Sequence, residues 1–124
     1  MALTILAVDD SRTIRDLLKL ALTREGIVLH MAEDGASALS LLQDLTPDAI
    51  ISDINMPNLD GFGFIEAVRR QEKFRTVPIL VLTTEAAPEL RARARAAGAT
   101  GWIVKPFDTP KLVRALHMVV GRVD

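Results

Sequence analysis

Short apolar runs alternate with longer segments whose apolar residues recur every three to four positions, and the alternation repeats five times along the chain. The runs Leu3–Val8, Ile27–Ala32, Ala49–Ser52, Pro78–Leu82 and Gly101–Val104 predict strands. All are short and apolar at consecutive positions, the pattern of strands covered by helices on both faces. Arg12–Glu25 places Ile14, Leu17, Leu18 and Ala21 on one stripe and closes at Gly26, which suits the left-handed turn behind a helix. Ala36–Leu45 and Gly61–Arg70 repeat the stripe, and Thr46-Pro47 is expected to end the former because proline cannot continue it. Pro88–Ala97 alternates Arg with small residues at a period of two. Its Ala, Leu, Arg and Glu are nevertheless strong helix formers without a β-branched interruption, and Gly98 supplies the stop, so a helix is expected. Pro110, at the first position behind Thr109, opens the last helix, whose apolar set is Leu112, Val113, Leu116 and Val120. Strands alternating with helices predict an α/β chain built on a parallel sheet.

Composition narrows the function classes. The 124 residues are 49% hydrophobic and 25% charged with a formal net charge of -1, values of one soluble globular domain. A chain of this size hides roughly two-thirds of its unfolded surface, enough for one core and no second domain. The absence of Cys excludes disulfides, thiolate metal sites and a Cys nucleophile. No Tyr and a single Trp leave few platforms for stacking bases, which argues against nucleic acid as a partner. No apolar run approaches the roughly 20 residues that span a bilayer, and Met1-Ala2-Leu3-Thr4 lacks the basic region of a signal peptide. A cytoplasmic location without membrane contact is expected. Residues 1–84 hold 8 basic and 12 acidic side chains, a net of -4, whereas residues 85–124 hold 7 and 4, a net of +3.

Right-handed crossovers put every strand's carboxyl end on one edge of a parallel sheet, where open α/β sheets form their ligand sites. Asp9 and Asp10 follow the first predicted strand, Asp53 the third, Thr83 and Thr84 the fourth and Lys105 the fifth. Singly these are ordinary residues: an Asp at a strand end commonly caps a helix, and a lone Lys is commonly solvated. Jointly they converge on one rim. Clustered carboxylates stay ionised only beside a cation, and oxygen ligands without His or Cys suit Mg²⁺. A phosphoryl group held between Mg²⁺, Lys105 and a Thr hydroxyl would be neutralised from several sides, with a carboxylate as nucleophile. His30 and His117 fall on different elements and read as structural.

These residues spell a family pattern. The chain resembles the response-regulator receiver domains, in particular stand-alone, CheY-like receivers. The resemblance rests on Val8-Asp9-Asp10-Ser11, the segment from Pro47 through Asp53 and Asn55 to Gly61, Val81-Leu82-Thr83, and Gly98 through Trp102 to Lys105-Pro106-Phe107, in order and at the family's spacing. It implies a flavodoxin-like, doubly wound sheet of five parallel strands in order 2-1-3-4-5 with five helices, residues 1–124 forming one receiver domain without a separate output domain. It further implies Asp53 as phosphoacceptor, Asp9, Asp10 and Asp53 with the backbone carbonyl of Asn55 as Mg²⁺ ligands, Thr83 as switch hydroxyl, Lys105 as phosphoryl-binding amine and a cis peptide before Pro106. A histidine kinase or phosphotransfer protein would be the donor, and a flagellar motor switch protein or another output protein the target. Two positions depart from the family's habit. Thr84 replaces a small residue, which is expected to narrow access to the phosphoryl group. Trp102 replaces the usual Tyr or Phe switch and is harder to tuck inward.

Three further readings remain to be weighed. A phosphate sink or relay without a downstream target shares every site residue with the switch. A Mg²⁺-dependent aspartyl-phosphate phosphatase needs an acid two residues beyond the nucleophile, and that position is the amide Asn55. A flavodoxin-like FMN carrier needs a Gly- and hydroxyl-rich phosphate loop where Asp9 and Asp10 stand. The switch reading, a binding module rather than an enzyme, assigns the output face to Pro88–Ala97, Trp102 and the last helix. Arg91, Arg95, Lys111 and Arg114 give that face a basic cast suited to an acidic or amphipathic partner segment.

Overall fold

A computed structural model describes residues 2–121; Met1, the first residue of the stretch read for a signal peptide, and residues 122–124 of the expected 1–124 domain lie outside it. Five strands, β1 (Thr4–Val8), β2 (Val28–Ala32), β3 (Ala49–Ser52), β4 (Ile79–Thr83) and β5 (Gly101–Val104), pair in parallel in the order β2-β1-β3-β4-β5. Helices α1 (Arg12–Thr23), α2 (Gly35–Leu41), α3 (Gly61–Arg70), α4 (Pro88–Ala97) and α5 (Thr109–Gly121) connect and follow them, with one 3-10 turn at Glu72–Phe74. The flavodoxin-like topology expected from the sequence is therefore the one observed.

Period-two alternation along each strand feeds two separate apolar layers. Leu6, Val8, Ile50, Ile79 and Val81 face α2, α3 and α4, and in that layer Phe64 and Ile65 of α3 and Phe74 of the 3-10 turn are fully buried. Ile5, Ala7, Ile51, Leu80 and Leu82 face α1 and α5 and pack on Leu18, Leu22, Leu112 and Leu116. Coverage on both faces, expected of all five strands, holds for β3 and β4 throughout and for β1 beyond Thr4. It fails for β2, where Val28 is 48% exposed, and for β5, which is partly exposed at every residue. Both are sheet edges, with a neighbouring strand on one side only.

Element ends differ from expectation in places. α2 begins at Gly35 because Asp34 caps it, its carboxylate accepting from the Ser37 amide at 2.7 Å, and stops at Leu41, well before Pro47. Leu42–Asp44 form a turn that puts Leu42 into the core. β4 runs one residue further than expected and takes in Thr83. Thr109 lies inside α5, whose first turn closes from the Leu112 amide to the Asp108 carbonyl at 2.9 Å. The left-handed Gly26 and the cis Lys105–Pro106 bond are both present. The helices are anchored unequally: α3 buries Gly61, Phe62, Phe64, Ile65 and Val68, whereas α4 buries Ala94 alone. No helix among the described residues is long and apolar enough to cross a membrane.

Candidate functional site

The carboxyl ends of β1, β3 and β5 bring Asp9, Asp10, Asp53 and Lys105 together. One carboxylate oxygen from each of the three acids lies within 4.8 Å of the others. Lys105 Nζ stands 2.7 Å from Asp9 Oδ2 and 2.9 Å from Asp53 Oδ2. Asp9 and Asp53 are 1% and 7% exposed, while Asp10 sits at the solvent rim.

Local backbone determines each direction. Asp53 Oδ1 accepts from the Ile54 amide at 2.7 Å and more weakly from the Asn55 amide at 3.4 Å, which turns Oδ2 toward Lys105. The Asp53 carbonyl accepts from the Ser52 hydroxyl at 2.8 Å. Gly61 closes the β3–α3 loop back over this strand end: its amide donates to the Ile54 carbonyl at 3.0 Å, and a Cβ there would run into the Asp53 carbonyl and the Ile54 backbone. Asn58, with φ of 69°, ties the same loop to α2 by donating from Nδ2 to Asp34 Oδ2 at 2.8 Å.

The electrostatics fit a hard divalent cation. Burial pushes the Asp9 carboxyl above its ordinary value despite the opposing pull of Lys105. Burial also works to lower the Lys105 pKa, but its close contacts with Asp9 and Asp53 and the negative charge of both outweigh it and hold the ammonium above its ordinary value. Asp9 Oδ2 nevertheless has no aligned hydrogen bond, so its contact with Lys105 is an ion pair that leaves lone-pair capacity unused. Three converging carboxylates against one ammonium leave uncompensated negative charge, and the donors are all oxygen, the set that Mg²⁺ takes. Asn55 is an exposed residue, and its carbonyl, which accepts no hydrogen bond among the described residues, could complete that set.

Thr83 is fully buried and joins the site through its backbone, its carbonyl accepting from the Lys105 amide at 2.7 Å. Its hydroxyl accepts from the Glu85 amide at 3.4 Å and makes no hydrogen bond to the three acids. Thr84 is exposed. Trp102 is half-buried against the α3–α4 layer and donates from its indole N–H to the Glu85 carbonyl at 3.1 Å. Arg91 and Arg95 are exposed on α4 and line, with Trp102, a cleft between α4 and β5 that includes none of the acids. Two further participants escaped sequence reasoning: Glu85, held by Thr83 and Trp102 through its backbone, and Arg15, whose Nη1 donates to the Asp9 carbonyl at 2.7 Å. The spacing of Arg15, four residues after the Ser11 that opens α1, is the only signal in the chain for the latter.

Comparison with known proteins agrees over most of the length. The family model for the response regulator receiver domain matches residues 5–117. The chemotaxis protein CheY of Pseudomonas aeruginosa is 35% identical over 121 residues, 97% of this chain and 98% of that protein. In some longer relatives the matching stretch is a small part, 13% of one and 23% of another. The structure of chemotaxis protein CheY4 of Vibrio cholerae superposes with a TM-score of 0.92 at 44% identity, covering 96% of this chain and 99% of that one. A receiver domain from a Pseudomonas aeruginosa sensor histidine kinase, solved with magnesium coordinated in its active-site cleft, gives 0.90 at 30% identity over 98% and 99% of the two chains. With its strand order, its acidic rim and this match in hand, the chain belongs to the response regulator receiver domain family and is homologous to CheY and other response regulators of two-component phosphorelays.

Proposed function

We propose that Asp53 accepts a phosphoryl group from a histidine kinase or phosphotransfer protein, and that the chain acts as a single-domain, cytoplasmic switch for an output protein. The observation that carries this reading is the position of Lys105 Nζ, 2.9 Å from Asp53 Oδ2 and 2.7 Å from Asp9 Oδ2, beside a three-carboxylate cluster.

Asp9, Asp10, Asp53 and the Asn55 carbonyl would hold Mg²⁺. Bound there, the cation neutralises phosphoryl charge and orients the donor. Asp53 Oδ2 is the attacking atom: a P–O bond forms as the donor's P–N bond to imidazole breaks, and the imidazole leaves. Lys105 then transfers its contact from the carboxylate to a phosphoryl oxygen. Asn55 offers no carboxylate to activate water, so the acyl phosphate persists long enough to act as a signal rather than as a hydrolytic intermediate. Thr84, exposed one residue beyond β4, would narrow the approach of water further if it leans toward the acceptor.

The output face comprises α4, β5 and α5. Its Arg91, Arg95, Lys111 and Arg114 suit an acidic or amphipathic segment, with a flagellar motor switch protein as the leading candidate. Phosphorylation shifts this surface only as far as the phosphoryl group stabilises one state over the other, and the partner responds only as far as it binds that state better. The test is labelling by a small phosphodonor with Mg²⁺. Wild type should gain an alkali-labile phosphoryl group and Asp53→Asn none; full labelling of Asp53→Asn would overturn the assignment.

A further inference from the structure

Asp9 is held on every side. Its amide donates to the Ala32 carbonyl at 3.1 Å, Oδ1 accepts from the Ser11 amide at 2.9 Å, Oδ2 pairs with Lys105 at 2.7 Å, and its carbonyl accepts from Arg15 Nη1 at 2.7 Å. Asp10 has no such support. It is exposed, and among the described residues its carboxylate accepts no hydrogen bond and forms no ion pair. The direction of Asp10 is therefore set by the backbone, and first by the peptide unit joining Asp9 to Asp10, whose carbonyl is the one Arg15 grips.

We propose that Arg15 is a positioning residue that aims Asp10 at the cation site by fixing the Asp9–Asp10 peptide plane, without itself touching the cation or the phosphoryl group. Arg15 lies one turn into α1, where its amide donates to the Ser11 carbonyl at 3.0 Å. Side chains on a helix lean toward its N-terminus, so the guanidinium folds back over the first turn to reach the preceding strand end. A bond from a charged donor is shorter and stronger than a neutral one, and the planar guanidinium presents its N–H groups at fixed angles that a lysine amine does not reproduce. The Ser11–Asp9 bond closes the turn on one side and the Arg15–Asp9 bond closes it on the other.

α1 has independent supports. Ser11 Oγ accepts from the Ile14 amide at 3.3 Å, and Leu18 and Leu22 are fully buried. Loss of the Arg15 side chain should therefore leave the helix and the fold in place and release only the peptide that carries Asp10. Arg15 also borders an open cleft with His30, Glu33 and Ser37, so a shorter or uncharged replacement there is solvated without strain.

This inference rests on Asp10 serving as a cation ligand. The test is a Mg²⁺ titration followed by amide NMR shifts in wild type, Arg15→Met, Arg15→Lys, Asp10→Asn and the Arg15→Met, Asp10→Asn double variant, with thermal melts in the absence of Mg²⁺. Outer partners of metal ligands typically contribute tenfold or more in affinity, so Arg15→Met should weaken Mg²⁺ binding about tenfold. Arg15→Lys should recover part of the loss, and Arg15→Met should add nothing once Asp10→Asn is present. Wild-type affinity in Arg15→Met, with or without a lowered melting temperature, overturns the proposal, as does a loss that adds in full to that of Asp10→Asn. Failure of the underlying reading looks different: Asp10→Asn itself would bind Mg²⁺ like wild type.

Discussion

The indole N–H of Trp102 donates to the carbonyl of Glu85 at 3.1 Å, while the amide of the same Glu85 donates to the Thr83 hydroxyl. One peptide segment beyond β4 is thus held by the switch candidate at the acidic rim and by the aromatic residue of β5. Any inward movement of Thr83 has to pull on the Glu85 backbone and so on the indole. Mg²⁺ with a small phosphodonor should shift Trp102 emission beyond the change caused by Mg²⁺ alone. The additional shift should vanish in Asp53→Asn and shrink in Thr83→Ala. Normal labelling without that shift would show that Trp102 does not follow the phosphoryl group.

Asp10 and Lys105 should separate in a metal titration. Asp10→Asn removes ligand charge and should weaken Mg²⁺ binding by at least about tenfold, the loss that outer partners already cause. Lys105→Met removes a competing cation that sits between Asp9 and Asp53, so Mg²⁺ affinity should hold or rise. In the absence of Mg²⁺ the same variant should melt lower, because two buried carboxylates lose their shared partner, and Mg²⁺ should restore much of the loss. Calorimetric melts with and without Mg²⁺ read both effects, and equal weakening of binding in the two variants would contradict the division of roles.

Acid sensitivity should trace to Asp34. The Ser37 amide first, then the Asn58 and Ser37 side chains, hold its carboxyl below the ordinary value of 3.8. A depressed folded-state pKa means that the unfolded chain binds the proton first as pH falls. The Asp34 contribution is therefore complete above the unfolded value and disappears as pH drops through the folded one. Asp9 has the opposite sign: its raised pKa favours the fold below the unfolded value, and that contribution is lost as pH rises through the folded value. Asp34→Asn keeps a good helix cap but should flatten the acid limb of a stability–pH curve measured by urea unfolding. An unchanged acid limb would exclude Asp34 as its source.

Gly61→Ala should damage the acceptor and the fold together. The added Cβ meets backbone rather than the tip of a flexible side chain, so the β3–α3 loop has to shift away from Asp53. A cost of about 1–3 kcal/mol is expected from forced overpacking. Labelling of Asp53 should slow even at temperatures where the variant is fully folded; a destabilised variant that labels at the wild-type rate would separate the loop's packing from the acceptor's geometry.

Much of this architecture was legible because it follows from topology. Five apolar runs and intervening helix stripes specify a parallel sheet, and chain handedness then forces Asp9, Asp53 and Lys105 to one rim regardless of side-chain detail. What stayed hidden was set by neighbours distant in sequence. A run of apolar residues looks the same in a central strand and at an edge, so the exposure of Val28 in β2 and of β5 was not foreseeable from pattern. α2 stops early because the core captures Leu42 in a turn, a tertiary demand that Pro47 does not announce. Arg15 reads as one more solvated arginine on an amphipathic helix until the folded turn shows which carbonyl it faces.

The unequal burial of α3 and α4 gives the molecule a graded mechanical compliance. Withdrawing α3 would expose Phe62, Phe64, Ile65 and Val68, each large apolar side chain resisting with about 1.5–3 kcal/mol, whereas α4 gives up one buried alanine, the partly buried Leu90 and Ala97, and the stacking of Arg93 over the Phe62 ring, 4.1 Å from its centroid. Its two ends are also unlike. The Gly98 carbonyl is clasped by Arg69 through Nε at 3.0 Å and Nη2 at 2.8 Å, but the Ala87 end has no side-chain cap. α4 is therefore a lever, pivoted at Gly98 and loose at the end that follows Thr83 and Glu85. Amide exchange should fall off along it from Leu90 toward Ala97, the uncapped end opening at less cost than the clasped one.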